Sequence, residues 1–115
     1  MKNLEIPLDK KTIILFDRFL RECKIQKIEI IFVYSPEYIE GQRFVKNKNQ
    51  IMATYRKFSM KYNIPFYDYS NDSMSYKKEY FYNALHLNKT GAELFTKRLI
   101  DTLKNTKPIK RLSKN

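Results

Sequence analysis

The chain has 115 residues and carries 23 Lys and Arg against 12 Asp and Glu, a formal charge of +11 at pH 7. That length holds one domain with a real core and is too short for two. Hydrophobic residues at 43%, nine Tyr and eight Phe among them, exclude a chain that is disordered as a whole, and the single cysteine excludes an internal disulfide or a multi-cysteine zinc site.

The opening MKNLEIPLDKK has no apolar leader core, and no run along the chain approaches membrane-spanning length. A cytoplasmic location is expected for the chain as written, and an exported or membrane-anchored one if it belongs to a longer parent. Residues from Asp9 to Cys23 are expected to be helical, with Phe16, Leu20 and Cys23 at i, i+4 and i+7 on the core side. Ile28 to Tyr34 is β-branched and aromatic and reads as a buried parallel strand, ended by Ser35-Pro36.

A polar loop containing Gly41 follows. Ile51, Tyr55, Phe58 and Tyr62 then mark a second helix, and Ile64 to Tyr69 a second strand with Pro65 at its start. Ser70 to Leu87 is irregular, with a turn of helix near Tyr76–Tyr80. Ala92, Phe95, Leu99 and Leu103 mark a third helix, with Asn88 at its N-cap.

Helix, strand, helix, strand, helix is an α/β layered order with parallel strands. Two strands do not make a stable sheet with helices on both faces. Further strands, a homodimer completing the sheet at an edge, or an additional N-terminal part of the protein would resolve this. The domain is expected to span 1–105, and the basic run through Lys107, Lys110, Arg111 and Lys114 reads as a disordered tail over 106–115.

His86 is the only histidine, and it precedes a helix start. An imidazole there suits a general base, provided a third group fixes its tautomer. Read blandly, the same segment is only a helix start, with Asn88 capping and Gly91 letting the helix approach the sheet. The wider segment Asn83-Ala84-Leu85-His86-Leu87-Asn88-Lys89-Thr90-Gly91-Ala92 resembles the last conserved block of SGNH/GDSL hydrolases, D-x-x-H followed by L-N-x-x-G and a helix. Ile64 to Ser70 resembles the strand before that block, and Ile31 to Tyr38 a strand that ends at the site.

The resemblance implies a flavodoxin-like three-layer fold, present here incompletely as about two parallel strands and three helices. It implies ester hydrolysis or acyl transfer, with acylated carbohydrate as one substrate class. His86 takes the base role, and Asn83 stands where the family has aspartate. An asparagine carbonyl still accepts the imidazole N–H, but it lacks the charge that stabilises an imidazolium, a loss of about 10⁴ in rate by analogy with other triads. Asp68 and Asp72 are nearby substitutes whose simpler reading is a strand-end turn and a solvated loop.

The family's nucleophile block is not found in this sequence, and neither is its G-x-N-D block. Ser35 follows a strand as a nucleophile does, although Ser35-Pro36 reads more simply as a strand end. Tyr82 and Ser35 are the candidate substrate contacts, while Tyr76, Tyr80 and Phe81 either line a pocket beside His86 or pack its loop. No P-loop, GxGxxG or second histidine is present, so no cofactor and no metal is expected. The competing function is a non-catalytic interaction module whose basic surface binds an anionic partner.

Overall fold

The computed structural model describes residues 8–105; the proposed tail over 106–115 lies outside them. The elements are α1 (Lys10–Ile25), β1 (Phe32–Tyr34), α2 (Ile39–Phe44), α3 (Lys48–Tyr62), β2 (Phe66–Asp68), 3₁₀ turns at Ser73–Tyr76 and Lys78–Tyr80, and α4 (Lys89–Lys104). Among the described residues the class is mixed α/β, with four helices and a two-stranded parallel sheet. Among the described residues no helix is long and apolar enough to cross a membrane. The chain divides into two compact units. One contains the described residues up to Val33 with Arg43–Tyr67, the other Tyr34–Gln42 with the described residues from Asp68 onward.

In the first unit the Asp9 carboxylate caps α1, taking the Lys11 N–H and the Thr12 hydroxyl. Leu20, Phe58 and Ile64 form the buried core, with Ile13, Phe16, Ile30, Phe32 and Tyr62 packed against it. The Phe16 ring stands edge-on to Phe58 at 5.3 Å and stacks on Phe32 at 5.9 Å. The expected α1 stripe therefore faces inward, and Cys23 is buried as a small apolar residue. On α3 the stripe is only partly right: Phe58 is buried, Tyr55 is exposed, and Met52 takes a buried place that the spacing did not assign.

Strand β1 is shorter than the run from Ile28 suggested, because that end of the run closes α1. Lys27 adopts a left-handed φ of 59°, and the Ile28 N–H turns back to the Cys23 carbonyl at 2.8 Å. This six-to-one closure satisfies a helix-end carbonyl and takes Ile28 out of the ladder. Asn63, at φ 53°, ends α3 in the same way, with the Ile64 N–H donating to the Ser59 carbonyl. Across the sheet the Phe32 N–H donates to the Pro65 carbonyl at 2.8 Å, while Pro65 itself has no N–H to extend the pairing.

Asp17 on α1 gathers three donors: Lys61 Nζ at 2.8 Å, the Tyr62 hydroxyl at 2.6 Å and Arg21 at 3.2 Å. The hydrogen bonds from Lys61, Tyr62 and then Arg21 lower its carboxyl from 3.8 to about 2. Between those values the unfolded chain binds a proton that the folded chain does not. The resulting stability is present above pH 3.8 and is lost as pH falls through about 2. Denaturant midpoints of wild type and Asp17→Asn should therefore differ at neutral pH and converge on acidification. A gap that does not change with pH would show that the cluster contributes nothing through ionisation.

In the second unit the Tyr69 N–H donates to the Tyr34 carbonyl at 2.9 Å, continuing the parallel pairing. The Tyr69 ring meets Phe95 edge-on at 5.1 Å, and its hydroxyl contacts Thr102 Oγ1 at 2.7 Å. Phe95, Leu99 and Leu103 of the expected α4 stripe are half-buried, whereas Ala92 is exposed. Arg98 pairs with Asp72, whose carboxylate also accepts the Met74 N–H and caps the first 3₁₀ turn.

Helix α2 replaces the expected polar loop. Six residues including a glycine have little intrinsic helicity. The helix is held by packing: Gly41 and Gln42 are buried, and Gln42 Nε2 donates to the Glu37 carbonyl at 2.7 Å and the Ser70 carbonyl at 2.6 Å.

Candidate functional site

His86 lies on a short loop of the second unit. A single antiparallel bridge between Phe81 and Leu87 closes the loop, and the Tyr82 N–H donates to the His86 carbonyl at 2.8 Å. Two 3₁₀ turns precede the loop, in the stretch expected to be irregular with a turn of helix near Tyr76–Tyr80. α4 starts immediately after it, with Asn88 Oδ1 accepting the Gly91 N–H at 2.8 Å, as the cap reading expected. Asn88 Nδ2 also donates to the Glu79 carbonyl at 2.7 Å, tying the cap to the preceding turn.

Inside the loop, Asn83 Oδ1 accepts the backbone N–H of Leu85 at 3.0 Å and of His86 at 2.9 Å. The same oxygen lies 2.9 Å from His86 Nδ1. Two main-chain donors require the oxygen of the amide, and not its nitrogen, at this position. An acceptor facing Nδ1 in turn requires that nitrogen to carry the proton. The backbone thus sets the amide orientation, and the amide sets the imidazole tautomer, leaving Nε2 with its lone pair in the neutral ring. Nε2 has no hydrogen-bond partner among the described residues, and both side chains are exposed. Chemically this is a base and an orienting group open to solvent, without the negative charge an aspartate would add.

The other candidates are placed differently. Asp68 accepts the Ser70 N–H at 2.9 Å, a strand-end turn, and Asp72 is held by Arg98. Neither carboxylate is hydrogen-bonded to His86. Ser35 is exposed beyond β1, and no hydrogen bond joins it to His86. Phe81 is buried, its ring 5.5 Å from Tyr38, so it packs the loop. Tyr82 is 81% exposed and Tyr76 58%, and neither encloses a pocket wall beside the imidazole.

Sequence reasoning missed what supports the loop. A Cβ at Gly41 would run into the Ala84 carbonyl, inside the Asn83–His86 turn. A Cβ at Gly91 would run into the Tyr80 carbonyl and approach Leu87. Gly91 thus serves a close approach of α4 to the His86 loop, and not to the sheet as expected. The signal was present: these are the only two glycines in the chain.

A separate groove of about 280 Å³ lies between α1 and α3 in the first unit, lined by Thr12, Ile13, Phe16, Ile51 and Phe58 among others. Its one carboxylate, Asp9, is engaged in capping α1. Among the described residues no group of three or more His, Cys, Asp or Glu is placed to hold a metal ion. No family model, no curated protein and no solved structure matches this chain.

Proposed function

We propose that the loop from Phe81 to Leu87 is the general-base loop of an SGNH/GDSL-type hydrolase, whose chemistry is ester hydrolysis or acyl transfer. In this role His86 Nε2 takes the proton of an attacking hydroxyl, and Asn83 holds the ring from Nδ1 in the place of the family's aspartate. The reading extends to the sheet as the remnant of a flavodoxin-like layered fold. Its main support is the 2.9 Å contact of Asn83 Oδ1 with His86 Nδ1 at D-x-x-H spacing, directly before a capped helix.

The sequence has no motif that activates a serine or builds an oxyanion hole, so this chain supplies the base and not the attacker. Slow or absent turnover is expected from it alone. Two measurements test the reading. Nitrogen-15 spectra of the imidazole should show the Nδ1–H tautomer in wild type and its loss in Asn83→Ala; an Nε2–H wild type would remove the base role. Fluorophosphonate labelling read by intact mass should give no adduct. An adduct that disappears in His86→Ala would reveal an activated serine in this chain, with Ser35 the first residue to map.

The second reading, a non-catalytic module for an anionic partner, draws on the +11 charge and on the neutral residue in the orienting position. Retention on an anionic matrix that falls with salt, equal in wild type and His86→Ala, would favour it.

A further inference from the structure

Helix α1 is apolar on two sides. Ile13, Phe16, Leu20 and Cys23 face the core, yet Ile14, Leu15, Phe19 and Ile25 are 55%, 60%, 58% and 66% exposed. At about 100° per residue these four fall within an arc of roughly 140°. Lys11 and Arg18 lie on the same arc, exposed and without an ion pair to any described residue. Its one acid, Glu22, is hydrogen-bonded to Gln26. Thr12 borders the α1–α3 groove and precedes Leu15 and Phe19 by three and seven residues, so the groove's apolar lining runs into this face along one helical row.

We propose that the outer face of α1 docks on an anionic lipid surface, lying in the plane of the headgroups with Leu15 and Phe19 inserted. This inference is independent of the role assigned to His86. Exposed aliphatic and aromatic side chains interleaved with Lys and Arg match a bilayer interface, which offers an apolar layer beneath negative headgroups. Nucleic acid supplies the negative charge but offers no apolar layer for Ile14, Leu15 and Ile25. A second copy packed in parallel would bring Lys11 and Arg18 against their own equivalents, which disfavours that pairing, while an antiparallel copy is decided by the oligomeric state below. The two unpaired cations beside the apolar side chains are the complement of a negatively charged lipid surface.

The test is co-sedimentation of the full chain with phosphatidylcholine vesicles, with and without phosphatidylglycerol, at low and high salt. Binding is expected only with phosphatidylglycerol and is expected to weaken with salt. Each basic side chain near an anionic surface is worth about fivefold in partition, so Lys11→Glu/Arg18→Glu should lose at least tenfold. Leu15→Glu/Phe19→Glu should lose as much, with unchanged circular dichroism and melting, because these side chains are exposed. The chain has no tryptophan, so Phe19→Trp introduces a single indole, excitable apart from the tyrosines, whose emission should shift to the blue on anionic vesicles. Absence of binding, binding retained by both double variants, or bound Phe19→Trp without a shift overturns the proposal. A wild-type dimer that Leu15→Glu/Phe19→Glu converts to monomer also overturns it, by showing that a second copy covers the face.

Discussion

Gly41→Ala is expected to lower the thermal midpoint by up to roughly 15 °C, although alanine is by propensity the better helix residue. Within a helix that exchange alone stabilises by about 0.8–1 kcal/mol. Here the new Cβ meets the Ala84 carbonyl, a backbone group that cannot swing aside as a flexible side-chain tip would. Inserting a methyl into such a contact costs about 1–3 kcal/mol, and each kcal/mol moves the midpoint of a small domain by about 4–8 °C. The displaced residue lies between Asn83 and His86, so the imidazole resonances should shift in the variant even well below its melting temperature. Gly91→Ala should act on the same loop from its other side, through the Tyr80 carbonyl. A midpoint that rises in Gly41→Ala, as propensity alone predicts, would mean that the loop yields freely and that α2 does not position His86.

Leu20→Ala should be among the most costly single truncations in the first unit. Leu20 is fully buried against Phe58 and Ile64, and removing its isobutyl group leaves a cavity as well as losing transfer energy. The expected cost is about 2–5 kcal/mol, a large part of the 5–15 kcal/mol that stabilises a typical domain. Leu15→Ala, on the same helix but 60% exposed, should stay within about 0.5 kcal/mol. Urea midpoints at constant m value separate the two. Equal losses at both positions would mean that the outer face of α1 is covered in solution.

The features read correctly from sequence are those whose cause lies within one turn of chain. Phe16, Leu20 and Cys23 share a face because a helix repeats every 3.6 residues, and that spacing is visible before any folding. Asn88 caps α4 because its side chain reaches an N–H three residues on. The Asn83–His86 contact is equally short in range, two side chains three residues apart across a tight turn, but the pair was singled out through the D-x-x-H resemblance and not through spacing alone. The extent of β1 was misread because a non-glycine residue, Lys27, takes the left-handed closing position at the end of α1 and draws Ile28 out of the strand. Glycine is the usual signal for that closure, and it was absent.

By itself the sequence determined the α/β class, the inward stripe of α1 and the start of α4, since local periodicity and short-range hydrogen bonding fix all three. Tertiary structure alone decided that a six-residue segment around Gly41 is helical and that its glycine meets the Ala84 carbonyl. It alone placed Gly91 against Tyr80, and it assigned Asp72 to Arg98 and not to His86. These outcomes rest on contacts between residues from 11 to 43 positions apart, where close approach of backbone and the pairing of half-buried charge outweigh propensities too weak to specify the local conformation.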